Sequence, residues 1–322
     1  MIAVLFTGGT ISMRFDPAAG GAVPALSAKE ILAAAPGIDD VAELEPVQWG
    51  AFPGPHMTTE RMWALRQDIV ERLARREIHG VVVTHGTDTI EETAYLVARS
   101  VGGDKPIVFT GAMRTASDLG WDGPANLIDA VRVAASPEAM GYGCMVVMGS
   151  RVYSALDVTK SHTHLLDAFE SPGLGPVAVI DDGNVIFRRA LPGAPPLLAP
   201  PEPAMPVDIV LAWAGCDSRL LDASRVEAKG VVVAAMGRGN VPVAMVPGIQ
   251  RFIRDDKPVV IASRVARGRV GPTYGYPGGG RRLVEMGAIL AGSRRAQQAR
   301  IDLMLALGFG LGTLEIRELF AS

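Results

Sequence analysis

The sequence predicts an α/β protein of two domains: a larger N-terminal domain with a mostly parallel sheet, then a smaller α/β C-terminal domain. Three observations lead there. Short apolar runs alternate with helical patterns, the rhythm of strand, crossover helix and strand that builds a parallel sheet with helices on both faces. The chain has 322 residues, enough for two domains. A proline-dense stretch, LPGAPPLLAPPEPAMP at 191–206, then breaks the rhythm before it resumes. The expected domains are 1–190 and 207–322, with 191–206 as the linker.

The apolar runs 2–6, 81–84, 107–110 and 144–148 read as short buried strands. The clearest helix is expected over 59–76, where Met62, Leu65, Ile69 and Leu73 share one face. Arg72, Arg75 and Arg76 crowd its expected last turn, where cations suit the helix dipole. The segment 191–206 holds too much proline for a helix or a central strand. Beyond it, 209–212, 231–235 and 259–262 read as strands and 248–254 as helix. A final helix is expected over about 295–307, with Ile301, Met304 and Leu305 on its apolar side. The basic cluster SRRAQQAR, 293–300, reads as the solvated opening of that helix.

Hydrophobic residues make up 48% and charged residues 20%, a globular composition. A net charge of -3 gives no footprint for nucleic acid or an anionic membrane surface. No apolar run approaches the length of a membrane span. MIAVLF reads as a first strand with no signal-peptide pattern ahead of it, so a cytoplasmic location is expected. The two cysteines, Cys144 and Cys216, lie in apolar stretches and read as reduced core residues.

Unusual residues collect after the strands, where open α/β sheets bind their ligands. TGGT, 7–10, follows the first strand; Gly8 and Gly9 permit a tight turn, and Thr10 would present its hydroxyl at the sheet edge. THGTDT, 84–89, follows the second. There Thr89-x-x-Glu92 fits a capping box, and Asp88 with Glu91 fits another, so a cap and a site group are both open roles for Asp88. DVTK, 157–160, adds a lysine in a further turn. A lysine near a buried aspartate and a threonine can relay a proton, by the logic of Ser–His–Asp sets.

Taken in order, TGGTIS (7–12), THGTDTIEETAY (84–95), GAMR (111–114), DGPANL (122–127), DVTK (157–160) and GRGN (237–240) resemble the bacterial-type L-asparaginases, including the asparaginase–glutaminases. The resemblance implies a homotetramer, a dimer of intimate dimers, with each active site completed by a neighbouring subunit. It implies an acyl-enzyme on Thr10, supported by Thr87, Asp88 and Lys160, with Asp88 also holding the substrate's α-ammonium. It implies substrate contacts around Gly9, Gly54, Pro55, Gly86, Thr87, Asp88 and Ala112, and no metal or cofactor. The expected reaction is hydrolysis of the L-asparagine side-chain amide to L-aspartate and ammonia. Glutamine, D-asparagine or an N-substituted asparagine are alternative substrates. A non-catalytic amino-acid or amide sensor is a second alternative, disfavoured by the retained nucleophile and lysine. A glutamine-amidase subunit serving an RNA-linked amidotransferase is disfavoured by the lack of a strongly basic surface.

The chain departs from the family at several places. Ala22, in GGAVPAL at 20–26, stands where the family's loop carries a tyrosine base, and Gly54-Pro55 stand for its serine–glutamine pair. Near Gly280, where the family lends a glutamate across subunits, TYGYPGGG (273–280) offers Tyr274 and Tyr276. Either tyrosine could reach a neighbour's site or simply pack in an interface. Asn240 matches an asparagine the family uses across subunits, and it equally suits a turn. GRGNVP lacks the third glycine of a dinucleotide loop, which excludes NAD there. His162 and His164 lack a partner at ligand spacing and read as solvated; His85 reads as a structural hydrogen-bonder.

Overall fold

The computed structural model describes residues 1–191 and 197–321. The chain divides into two compact units, Met1–Leu197 and Leu198–Ser322. Of the expected linker, residues 192–196 lie outside the described residues.

In the first unit the strands are β1 (Ile2–Gly8), β2 (Met13–Asp16), β3 (Gly21–Pro24), β4 (Leu44–Phe52), β5 (Gly80–Thr84), β6 (Ile107–Thr110), β7 (Cys144–Met148), β8 (Arg151–Ser154), β9 (Thr159–Lys160), β10 (Phe169–Glu170), β11 (Ala178–Asp181) and β12 (Asn184–Phe187). Its helices are α1 (Ala28–Ala33), α2 (Ile38–Val41), α3 (Thr59–Leu73), α4 (Ile90–Ser100) and α5 (Gly123–Ala135). An eight-stranded sheet runs β12-β11-β8-β7-β6-β5-β1-β4. β4, β1, β5, β6 and β7 pair in parallel. Their carboxyl ends, and the loops that follow, therefore gather at one edge.

Alternation of side chains loads both faces of this sheet. Val4, Phe6, Val82 and Val108 pack with Leu127, Ala130 and Val131 of α5. Ala3, Leu5, Val81 and Val83 pack with Leu65 and Ile69 of α3 and with Ile90, Ala94 and Val97 of α4.

Past β7 the sheet turns antiparallel, through β7–β8, β8–β11 and β11–β12. Two turns produce this: Gly149-Ser150, both at φ 57, and Asp182-Gly183, at φ 48 and 76. Asp-Gly at positive φ is the hairpin turn that suits strand twist. β9 and β10 form a separate two-stranded ladder.

Three expectations need correction. α3 stops at Leu73, because Arg75 leaves the helix to bind Glu45 and Glu77, so only Arg72 is in the last turn. After TGGT, β2 and β3 form a hairpin that pairs Phe15 with exposed Ala22. The last helix is not the one expected, as the second unit shows, and with it falls the solvated reading of SRRAQQAR.

That unit contains β13 (Val207–Leu211), α6 (Arg219–Arg225), β14 (Gly230–Ala235), α7 (Val246–Arg254), β15 (Val259–Ser263), α8 (Gly280–Glu285), β16 (Ile289–Arg295), α9 (Ala296–Gly308) and α10 (Thr313–Ala321). Its four strands are parallel in the order β13-β14-β15-β16. Leu221, Ile249, Phe252 and Leu283 cover one face; Leu303, Met304, Ile316 and Phe320 cover the other. α9 is followed by α10, whose Ile316 and Phe320 close the core. Ser293, Arg294 and Arg295 end β16 rather than open a solvated helix face. Arg294 Nε lies 2.8 Å from the fully buried Asp302 carboxylate, and its other nitrogens donate to the carbonyls of Leu319 and Phe320.

Candidate active site

Four loops meet at the carboxyl edge of the parallel strands, and glycine lets them touch. A Cβ on Gly9 would stand 2.6 Å from Gly86 Cα, and one on Gly86 would stand 2.4 Å from Gly54 Cα. Real Cβ contacts are never so short, so the loops after β1, β4 and β5 stack backbone on backbone. A Cβ on Gly111 would meet the His85 carbonyl at 2.6 Å and Thr87 Cγ2 at 3.2 Å, which adds the loop after β6. Thr10 and Thr87 each follow one of these contacts in sequence.

The three threonines of THGTDT do three different things. Thr84 is wholly buried at the end of β5, where its carbonyl accepts from the Thr7 hydroxyl at 2.8 Å. Thr89 donates to the Gly54 carbonyl at 2.8 Å. Thr87 accepts from Lys160 Nζ at 3.0 Å, and the same ammonium lies 2.7 Å from Asp88 Oδ1. Lys160 thus reaches the adjacent Thr87 and Asp88 from more than seventy residues further along the chain.

Neither capping reading holds. Thr89 opens α4 without a side-chain cap bond, because its hydroxyl is committed to Gly54, and Asp88 is committed to Lys160. The buried aspartate expected beside the lysine is also corrected: the Asp88 side chain is 57% exposed in this single chain, against 16% for Lys160. Glu91, expected at most to help a cap, instead accepts the backbone N–H of Lys160 at 2.7 Å.

Thr10 opens a single 3-10 turn, held by the bonds of Ser12 N and Ser12 Oγ to the Gly9 carbonyl. It is half-buried, and its hydroxyl makes no hydrogen bond among the described residues. The hairpin beyond it is anchored by Phe15 N donating to Ser117 Oγ and Ala116 N donating to the Met13 carbonyl. Gly54 is buried beside Asp88, while Pro55 is exposed. Ala112 is wholly buried in the apolar layer.

DGPANL has a function in the scaffold that its sequence did not announce. The Asp122 carboxylate accepts the backbone N–H groups of Met113 and Arg114. The buried Asn126 donates to the Gly111 carbonyl and to Asp122, each at 3.0 Å, and accepts from Gly149 N. Together they fix the loop that packs against Thr87. The readable signal is a lone amide and carboxylate within a helix start; what they bind is long-range, so spacing alone does not reveal it.

A cavity of about 220 Å³ lies beside the pair, lined by Asp88, Lys160, Ser161, His162 and Thr163. His162 and His164 are exposed, and His162 Nδ1 accepts from the backbone of His164 and Leu165. Among the described residues no three His, Cys, Asp or Glu side chains group as a metal site. His85 is wholly buried, with Nδ1 2.9 Å from the Gly86 carbonyl. A carbonyl only accepts, so the proton sits on Nδ1. Burial lowers the His85 pKa to about 4. Both cysteines are free and buried, and burial pushes the Cys144 thiol up.

In the C-terminal unit, Asn240 Oδ1 accepts from Gly280 N at 3.3 Å, and Asn240 bridges Met236. Tyr274 and Tyr276 are 43% and 50% exposed, with ring centroids 5.6 Å apart. These three residues thus share one surface region built around the turn before α8.

Comparison with known proteins gives one answer over the whole length. Residues 1–192 match the family described as Asparaginase, N-terminal, and residues 206–320 match the Glutaminase/Asparaginase C-terminal domain. A probable L-asparaginase of Deinococcus radiodurans is 39% identical over 324 aligned positions, covering 99% of this chain and 96% of that protein. L-asparaginase 2 of Bacillus subtilis is 33% identical, covering 95% of this chain and 82% of its own. The crystal structure of a probable cytoplasmic L-asparaginase from Campylobacter jejuni superposes with a TM-score of 0.88 at 32% identity, covering 100% of this chain and 99% of that one. Two domain matches in order, on a fold whose strand ends carry the linked Thr87, Asp88 and Lys160, place this chain in the asparaginase family.

Proposed function

We propose that the protein hydrolyses the side-chain amide of L-asparagine, giving L-aspartate and ammonia. The observation that carries the reading is the Lys160 ammonium held between Thr87 Oγ1 and Asp88 Oδ1, on loops that also bring Gly9 against Gly86. The Thr10 hydroxyl attacks the amide carbon, its Oγ–C bond forms, and the C–N bond breaks to release ammonia. Water then cleaves the ester, returning Thr10. Thr87, Lys160 and Asp88 support the proton transfers, and Asp88 holds the α-ammonium. Backbone N–H groups of the glycine turns around Gly9, Gly86 and Thr87 stabilise the oxyanion, an effect typically worth several kcal/mol.

Gly54, Pro55 and the Ala112 backbone border the substrate. The domains 1–190 and 207–322 work as a homotetramer, a dimer of intimate dimers. Asn240, Tyr274 and Tyr276 complete a neighbour's site. A tyrosine from that loop takes part of the role that Ala22 cannot fill. We place the enzyme in the cytoplasm, as the name of the Campylobacter jejuni protein does for its own; among the described residues no helix is long and apolar enough to cross a membrane.

A wider substrate range is the second reading, favoured by the exposed Asp88 and the side-chain-poor Gly54-Pro55 turn. Ammonia release from L-asparagine, L-glutamine and D-asparagine by wild type and Thr10→Ala tests both. Release from L-asparagine that disappears in the variant is the expected result. Release only from another amide moves the assignment to that substrate, and release from none overturns the enzymatic reading in favour of a sensor.

A further inference from the structure

Lys160 stands on a very short strand. It is the second residue of β9, a two-residue strand paired only with β10 and separate from the eight-stranded sheet. So short a ladder gives little hold of its own, and Val158 and Phe169 beside it tie it to the core. Thr87 and Asp88, by contrast, sit directly after the buried strand β5 and before α4. The ammonium reaches them at 3.0 and 2.7 Å, distances that tolerate little drift of the strand carrying it.

One side chain ties the two pieces together at the main chain. Glu91, in the first turn of α4, accepts the backbone N–H of Lys160 through Oε2 at 2.7 Å. This is a charge-assisted bond, shorter and stronger than a neutral one. Its donor and its acceptor belong to the two segments that must stay in register for the lysine to reach its partners. Asp88 and Glu91 lie three residues apart, so the same helix start that presents the carboxylate paired with Nζ also presents the carboxylate that fixes the lysine's backbone.

We propose that Glu91 is a positioning residue for Lys160: its carboxylate clamps the β9 main chain against α4 and so sets the reach of Nζ to Thr87 and Asp88. The proposal rests on the role given to Lys160 above. It explains why Glu91 is not spent on capping the helix it begins, a use its place in the sequence would allow.

The test compares Glu91→Ala, Glu91→Gln and Glu91→Asp, in the wild-type chain and in the Lys160→Met background, using ammonia release with saturating and subsaturating L-asparagine. Glu91→Ala lowers kcat about 10- to 100-fold with KM little changed, because a lost register displaces a proton-handling group more than a binding surface. Glu91→Gln, which keeps an acceptor oxygen, retains most of the activity. Glu91→Asp keeps the charge but withdraws it by one methylene, and loses activity. It serves as the second variant if Glu91→Ala folds poorly. In the Lys160→Met background Glu91→Ala has no further effect on the residual rate, since residues acting as a unit are not additive.

Wild-type kcat in Glu91→Ala overturns the proposal. So does an equal loss in both backgrounds, which would place Glu91's effect elsewhere. If Lys160→Met itself leaves turnover intact, the role of Lys160 falls and this proposal falls with it. If Lys160→Met abolishes turnover while Glu91→Ala does not, only the clamp is lost.

Discussion

Single residues in this protein are used for what their neighbours leave undone. His85 is the sharpest case. It sits inside the most polar motif of the chain, yet it is wholly buried and its ring meets Phe109 edge-on at 5.9 Å. Its Nδ1–H holds the Gly86 carbonyl and so fixes the peptide that packs against Gly9 and Gly54. Burial depresses the native pKa to about 4, below the ordinary value of 6.5. The unfolded chain therefore binds a proton that the folded chain refuses between those two values. Stability from neutral His85 is complete above pH 6.5 and is lost as pH falls toward 4. The loss is on the order of 3 kcal/mol at most. Denaturant midpoints of wild type and His85→Asn, measured at pH 7 and pH 4.5, check this. The gap between the two pH values should be smaller in the variant, and an unchanged gap would mean that other groups set the acid sensitivity.

At the scale of elements, helices are fastened by side chains from neighbouring strands. Arg294, at the end of β16, joins Asp302 in α9 to the last carbonyls of α10. Asp302 is fully buried, so Asp302→Ala leaves the guanidinium without its counter-charge in a dry setting. That should cost about 3–5 kcal/mol of stability. Thermal unfolding followed by circular dichroism would show it, and a loss below about 1 kcal/mol, the usual worth of a surface pair, would mean that water reaches the site. This clamp also shows where sequence reading stopped. The central strands β1, β5, β6 and β7 were legible, because strands buried on both faces appear as unbroken apolar runs. The apolar face of α3 was legible for the same kind of reason. α10 was not, because its sequence TLEIRELFA offers only a short mixed pattern, and its closure comes from Arg294 and Phe320 packing. β11 and β12 are short and half-exposed, although Asp182-Gly183 between them was a readable turn. In the site, the motif residues were legible by resemblance. The bonds of Glu91, Asp122 and Asn126 were not, since their partners lie far off in sequence and are fixed only by the fold.

For the whole molecule, the proposal to test is assembly. The Thr10 hydroxyl makes no hydrogen bond among the described residues, and Ala22 pairs with Phe15 across the β2–β3 hairpin where a proton acceptor was expected. If the site is completed by a second chain, the exposed and mutually packed Tyr274 and Tyr276 are the groups to supply it. Light scattering should then give a mass near four times the 33.9 kDa of one chain. Mixing variants tests the chemistry itself. Thr10→Ala chains lack the proposed nucleophile, and chains carrying both Tyr274→Phe and Tyr276→Phe lack the hydroxyls proposed to be donated, so each homo-oligomer should be slow. Co-refolded at equal amounts, they form mixed dimers in which one site has Thr10 from one chain and both tyrosines from the other. Activity should rise to about a quarter of wild type, the share of sites that random pairing completes across a two-fold interface. No gain over the average of the parents would place the tyrosines in the same chain's site or outside the chemistry. Full activity in the tyrosine variant alone would leave the two rings a packing role, and the search for the base would move to the backbone and water around Thr10.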